Sequence, residues 1–347
     1  MNGYYKTSSG EVFPLEKQDK FYLSNKNIVE LIIPEGCTAV ICWDNNLTEL
    51  IIPKGCKEVY CSNNQLTNLV IPEGCEKVKC YHNQLTNLII PEGCEEVDCH
   101  NNKLTELVIP EGCKDVRCSV NKLTELIIPE GCKDVDCTYN NLTKLVIPNG
   151  CKEIYCFNNQ LTELILPEGC KEVYCRNNNL TELVLLEGCK KVGCSVNKLT
   201  NLIIPKGCEF VNCSDNNLTE LVLPEECEKV YCNNNKLTDL ILPKNCKNVD
   251  CSNNQLTELI ISTGCKEVYC RDNKLTELII PKGCKEVHCS NNQLTKLVVA
   301  EGCEKIYCQH NQLIDFNPPK SCKTLWCDIQ AIGDLCNNIE DLELFNG

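Results

Sequence analysis

Apolar and polar residues along this chain repeat with a period of 19. One period, Cys56 to Gly74, reads CKEVYCSNNQLTNLVIPEG. It holds two apolar triplets of identical spacing: Cys56, Val59 and Cys61, then Leu66, Leu69 and Ile71. The first cysteine returns once in every period from Cys37 to Cys322, and the second from Cys42 to Cys327. An aliphatic residue lies between them each time, from Val40, Val59 and Val78 through to Ile306 and Leu325. The position between the last two members of the second triplet (Ile32, Ile51, Val70, Ile89, on to Val298) is β-branched in every period. β-Branched side chains are stiff at χ1 and suit a pleated surface better than a helix. The pattern therefore predicts two short parallel strands per turn, with both triplets pointing inward. The expected fold is an all-β solenoid with two facing walls and no helices along its back.

The remaining columns fit that reading. An Asn at Asn45, Asn64, Asn83 and onward to Asn311 falls where the chain leaves the first strand. Its amide can satisfy backbone groups that a bend exposes inside the stack. Gly55, Gly74 and Gly93 supply positive φ at a return corner. Glu226 and Asn245 occupy that corner in two rungs, and Glu226 is expected to be strained there if the corner is left-handed. Pro53, Pro72 and Pro91 fix the exit from the second strand.

The segment Cys-x-x-Val-x-Cys-x-x-Asn-x-Leu resembles the signature of leucine-rich repeats, with Cys at two Leu positions. The match covers fifteen rungs from residue 37 to residue 321. The short period is similar to the compact repeats of bacterial effector proteins, and the Asn-, Lys- and Ile-rich wording is similar to leucine-rich-repeat proteins of giant DNA viruses. The resemblance implies a protein-interaction scaffold whose recognition residues are the exposed positions of the first strand. Some of those effectors carry a ubiquitin-ligase domain with a catalytic Cys. Only a short tail after Cys327 follows the last rung here, so no such domain is expected.

The chain divides into residues 1–36 as an N-terminal cap with a decayed rung, 37–321 as the solenoid, and 322–347 as a last decayed rung and C-terminal cap. The decayed rung at the front rests on Phe21 and Leu23, the latter one full period before Cys42. The apolar spacing in Ala331 to Phe345 predicts a short capping helix or an irregular cap.

Composition changes the picture at the cysteines. There are 33, and 32 of them lie in the two columns. Within a rung the two are five residues apart along an extended path, about 16 Å. That excludes a disulfide between them, which needs Cα atoms within about 7 Å. It also excludes a shared zinc, whose Zn–S bonds are about 2.3 Å. Stacked cysteines of neighbouring rungs would place parallel Cβ atoms about 4.8 Å apart, beyond the usual disulfide range. A small buried hydrophobe is the simplest role, and a reducing intracellular compartment, such as the cytoplasm, is expected. The sequons at Asn46, Asn141, Asn179 and Asn217 are then by-products of the repeat phrase.

A net charge of −14 excludes a basic phosphate-tracking stripe and attraction to anionic membrane. No apolar run approaches the roughly 20 residues that span a bilayer. The N-terminus lacks an apolar secretory segment. No phosphate loop, metal motif or catalytic constellation stands out, so neither enzyme activity nor a cofactor or metal is expected.

The exposed columns vary between rungs. One is the position before the second Cys, running Tyr60, Lys79, Asp98, Arg117, Asp136, Tyr155, Tyr174 and on to Trp326. Tyr139, Tyr155, Phe157 and Tyr174, flanked by Arg117, Asp136 and Arg176, form the densest aromatic group, and clustered aromatics with Arg are what interface hot spots contain. That group is the candidate partner-binding face, and the expected partner is a protein. A Lys column (Lys114, Lys133, Lys152, Lys171) beside an acidic one (Asp115, Asp134, Glu153, Glu172) reads as a solvated, charge-balanced flank. Two alternatives remain: a structural protein whose copies pair back to back through the Ile/Val ladder, and a thiol-based metal or redox sink.

Overall fold

The computed structural model describes residues 3–314, 316–331 and 341–345. They form two compact units, residues 1–179 and 180–347. Each is an all-β, parallel solenoid of the kind the period predicts.

The first unit opens with a hairpin. Strands β1 (Gly3–Thr7) and β2 (Val12–Leu15) pair antiparallel, and β1 pairs antiparallel with β4 (Ile28–Ile32), the start of the back wall. Pro14 lies on the outermost strand, where a missing N–H costs no ladder bond. Gly3 packs so tightly that a Cβ there would clash with the Pro34 ring. Strand β3 (Lys20–Tyr22) pairs parallel with β5 (Ala39–Ile41), so Phe21 and Leu23 do belong to a rung. From there the front wall adds one short strand per rung, each displaced by one period: Val40 meets Val59, Val59 meets Val78, and so on to Ile154 and Val173. Alternation along each strand buries the central aliphatic residue and leaves its two neighbours, such as Glu58 and Tyr60, half-buried on the outer surface.

The core lies between the walls. Cys56, Val59, Cys61, Leu66 and Leu69 are buried, as are their equivalents in both units except the half-buried Leu50. The Asn column binds rungs together. Asn64 donates its Nδ2 to the carbonyls of Cys61 in its own rung and Cys42 in the preceding one, both at 3.0 Å. Its Oδ1 accepts the Leu47 N–H at 2.9 Å. All three are backbone groups that the bend strips of ladder partners, and an Asn amide serves them all at once. The first Cys column has a polar duty as well. Its thiols donate to backbone carbonyls at the turn before the front strand: Cys75 Sγ lies 3.4 Å from both Lys77 O and Lys57 O. A weak S–H donor placed among carbonyls does what a Leu there could not.

The back wall departs from the prediction. Its strands pair two by two rather than as a continuous ladder. In the first unit β4 pairs with β6 (Glu49–Ile51), residues 68–70 with 87–89, and 125–127 with 144–146. The stretch from Leu66 to Pro72 offers few ladder donors and the proline removes the next one, so a small change of path suffices to break the pairing.

The second unit repeats the front wall from Lys191–Gly193 to Thr324–Asp328. Its back wall holds the pairs 182–184 with 201–203 and 277–280 with 296–299, and between them a single bridge, Ile241 to Ile260. The corner changes over the same rungs. Gly207 and Gly283 are left-handed, with φ of 78° and 101°, whereas Glu226, Asn245 and Gly264 stand outside that region. There the turn closes on a shorter bond: Cys227 N to Pro224 O, Cys246 N to Pro243 O and Cys265 N to Ser262 O are all 3.0 Å, against 3.5 Å at Cys56 and 3.4 Å at Cys75. The strain expected at Glu226 is therefore absent, because the corner adopts another turn around it.

Left-handed backbone of non-glycine residues occurs elsewhere, two residues after the second Cys. Asn63 has φ 54°, and so nearly do its counterparts, including the β-branched Val120 (53°) and Val196 (55°). At the C-terminal end Asp328 takes over from the Asn column, accepting the His310 and Asn311 N–H groups at 2.8 Å each. A single 3₁₀ turn, Ile329–Ala331, follows. The predicted capping helix falls partly on residues 332–340, outside the described residues. Asp341–Phe345, which that helix would have included, is instead a strand parallel to Thr324–Asp328.

Candidate functional site

The outward residues of the front wall come from alternate positions of each strand, so two columns share one surface. In the first unit these are the variable column and, two residues earlier, the acidic column Glu96, Asp115, Asp134, Glu153 and Glu172. The acidic column is thus not a separate flank. It belongs to the candidate face, and period-two alternation alone would have placed it there.

Tyr155 and Tyr174 stand in register on adjacent strands. Their rings stack at 5.2 Å between centroids and 8° between planes. Each phenol donates to the carboxylate two residues before it: Tyr155 to Glu153 at 3.1 Å and Tyr174 to Glu172 at 3.3 Å. Burial first, and then Glu153, push the Tyr155 hydroxyl up to about 12. Next to Tyr155 the chain leaves a shallow hollow of about 440 Å³ lined by Asp115, Arg117, Asp134, Asp136, Glu153 and Tyr155.

The other predicted residues divide. Arg117 is exposed and reaches Asp115 of its own strand at 3.2 Å rather than Asp136. Asp136 accepts from the Thr138 N–H and hydroxyl at 3.1 and 2.8 Å, a local turn that fixes its carboxylate at the floor of the hollow. Tyr139 and Phe157 form a separate edge-to-face pair, 5.5 Å apart and 79° between planes. They sit in the turn after the strand, and Tyr139 itself is left-handed (φ 54°). Arg176 is exposed in the same turn column as Phe157. The predicted group is therefore two neighbouring aromatic pairs, one on the sheet and one on the turn that follows.

A second aromatic array, not singled out by sequence, occupies the front wall of the second unit. Tyr269, His288 and Tyr307 stack in three successive rungs at 4.5 and 4.1 Å, and Trp326 meets Tyr307 edge-on at 5.2 Å. His288 Nε2 lies 2.7 Å from Glu286, which also binds Lys305 at 3.2 Å. Burial between the rings lowers the His288 pKa, against the pull of Glu286. The rung-to-rung coincidence of aromatics in one column was the available signal.

The thiol columns present no comparable surface. The ladder cysteines are buried thiols. Burial pushes the fully enclosed thiols Cys213 and Cys289 up to about 12. Among the described residues no group of three His, Cys, Asp or Glu is placed to hold a metal ion. Among them, too, no helix is long and apolar enough to cross a membrane.

Comparison with known proteins finds likeness in structure only. No family model matches the sequence, and no curated protein does either. Among solved structures, YopM from Yersinia enterocolitica superposes with a TM-score of 0.65 at 20% identity, covering 94% of this chain and 91% of its own. YopM from Yersinia pestis, a leucine-rich effector protein, gives 0.65 at 23%, covering 94% and 89%. The functional domain of InlJ from Listeria monocytogenes, which includes a cysteine ladder, gives 0.58 at 20%, covering 95% and 74%. The fold is thus that of the leucine-rich-repeat solenoids, and the buried cysteine columns have a counterpart in one of them.

Proposed function

We propose that this leucine-rich-repeat solenoid is a non-enzymatic scaffold that binds a protein partner on the outer surface of its front wall. One observation carries the reading: the stacked Tyr155–Tyr174 pair stands half-exposed beside a carboxylate-lined hollow, on strands whose inward residues are locked by packing. Rigid aromatic rings with a polar handle give contact area at low entropic cost, which is how hot spots work. The fold of the solved neighbours is compatible with this use; one is a plant peptide hormone receptor, RGFR1, in complex with RGF2, at a TM-score of 0.57 and 18% identity. Buried, unbridged thiols suit a reducing intracellular setting.

The test is affinity capture by the full chain against a Tyr155→Ala/Tyr174→Ala variant, with Ile127→Ala on the back wall as control. A specific partner should be lost by the double variant and kept by the control. Equal recovery by all three forms removes the front-wall patch from the binding surface.

A further inference from the structure

The back wall of the second unit combines three departures from the regular repeat. Between residues 203 and 277 its ladder is reduced to the one bridge between Ile241 and Ile260. Its corners at Glu226, Asn245 and Gly264 abandon the left-handed turn. And Ile241 and Ile260 are 86% and 82% exposed, although both are large aliphatics. Around them the wall forms a groove in two adjoining hollows of about 740 and 530 Å³. Asp239 and Glu258 border it where the back segment begins, and Lys244 borders it at the corner. Among the described residues neither Asp239 nor Glu258 is in an ion pair.

What could cover such a wall is constrained by symmetry. Two copies placed back to back about a two-fold axis parallel to the solenoid axis bring each rung opposite the same rung of the partner, with strand direction reversed. The start-of-segment column of one copy then faces the corner column of the other. Over the rungs from residue 239 to residue 301 those columns are opposite in charge: Asp239 with Lys244, Glu277 with Lys282, and Lys296 with Glu301, while Glu258 meets the neutral Thr263. The other face-to-face two-fold axis would set Asp239 against Glu277 and Lys244 against Lys282, like against like. In the first unit the same-rung pairs are like-charged at Glu106 with Glu111, Glu125 with Glu130 and Glu163 with Glu168. A closed two-fold contact must be self-complementary; the four successive rungs from Asp239 to Glu301 meet that condition, whereas Glu182 with Glu187 and Glu220 with Glu225, earlier in the second unit, are like-charged, and the opposite pair Glu49 with Lys54 in the first unit stands alone.

We infer that the groove around Ile241 and Ile260 is covered by a second copy of this chain, in a back-to-back dimer with its two-fold axis parallel to the solenoid axis. The exposed isoleucines meet across the axis and form the apolar centre. The Asp239–Lys244 and Glu277–Lys282 contacts form the rim, each occurring twice. The front wall stays open in both copies, so the contact is independent of the binding surface proposed above.

Sedimentation equilibrium of the full chain over a wide concentration range tests this. The wild type should dimerise reversibly. Ile241→Asp/Ile260→Asp, at positions open to solvent, should be monomeric with an unchanged thermal transition. Lys244→Glu alone and Asp239→Lys alone should each weaken the dimer about tenfold, since each removes two rim contacts. Combining them reverses the pair on both copies and should restore wild-type affinity. A wild type that stays monomeric at the highest concentration overturns the inference, even where another protein covers the groove. So does a dimer indifferent to the isoleucine variant. A combined charge variant weaker than either single one overturns the axis assigned here.

Discussion

Asn159→Ala is the perturbation that most directly tests how the rungs hold the candidate face. Asn159 lies two residues after Phe157, in the turn between the strands that carry Tyr155 and Tyr174, and is buried. Its Oδ1 accepts the Leu142 N–H at 2.9 Å, and its Nδ2 donates to Cys137 O at 3.0 Å and Cys156 O at 3.1 Å. The three bonds are unequal. Cys137 O keeps a second donor in Asn140, and Cys156 O keeps one in Asn178. Leu142 N–H has no substitute among the described contacts. Leaving that buried donor unmade costs about 1–3 kcal/mol, and each weakened carbonyl adds about 0.5 kcal/mol, so the loss is about 3 kcal/mol. Repeat proteins unfold locally as well as globally. Hydrogen exchange by mass spectrometry therefore reads the effect better than one melting curve. Peptides covering residues 137–160 should lose protection by roughly a hundredfold, while those two or more rungs away change little. A uniform loss across the chain, or a loss below about fivefold, would refute the assignment of the Asn column as the main inter-rung clamp.

Three further outcomes follow from the geometry. Val120 holds a left-handed backbone that β-branched residues resist, and its side chain is exposed, so Val120→Asn should stabilise the first unit by about 1 kcal/mol, and Asn158→Val should cost a similar amount in chemical denaturation; opposite signs would show that the turn does not impose that conformation. The buried thiols should ignore a thiol-specific disulfide reagent in the native state and react on unfolding, and fast native labelling of most of them would favour the metal or redox reading. Because burial raises the pKa of thiols such as Cys213 and Cys289, the contribution of these thiols is fully present below the usual thiol value and is lost as pH climbs toward 12, by about 1.4 kcal/mol per thiol per pH unit while the unfolded form alone is ionised. Stability measured between pH 7 and 10.5 should therefore fall steeply in the alkaline part, and a flat profile would place the thiols in contact with solvent.

What could be read from the amino-acid sequence was whatever packing repeats. Cys56, Val59, Cys61, Asn64 and Leu66 recur because each touches its own copy above and below, and any departure would be felt in two neighbouring rungs. Positions that touch only solvent carry no such signature, and there the reading was weaker. Composition alone assigns the acidic column to a flank, although alternation two residues from Tyr155 places it on the candidate face. Residues 341–345, Asp-Leu-Glu-Leu-Phe, alternate as a strand does, yet the apolar spacing over the longer segment from Ala331 also fits a helix and masks that alternation. The paired back-wall strands had no sequence signal at all. Ile51, Val108 and Ile241 are equivalent in the repeat, but they differ in whether a neighbour's backbone happens to reach them.

That difference separates the two walls in what they can become. On the front wall around the candidate face each rung is bonded to the next on both sides, so an outward side chain can change from Tyr155 to Asp136 to Arg117 without disturbing the backbone that presents it. Side chains one rung apart are close enough to couple, as the Tyr155–Tyr174 stack shows, whereas those several rungs apart act independently. Recognition can therefore be assembled from small adjacent groups, and two such groups, one in each unit, are present. The back wall has no such freedom. Its outward residue is β-branched and apolar from Ile32 to Val298, and where the ladder lapses between residues 222 and 263 that residue is nearly bare. A column that keeps its apolar character while standing in solvent is under a constraint other than its own rung's packing. The charge pattern on either side of Ile241 and Ile260 says what kind of surface would supply it.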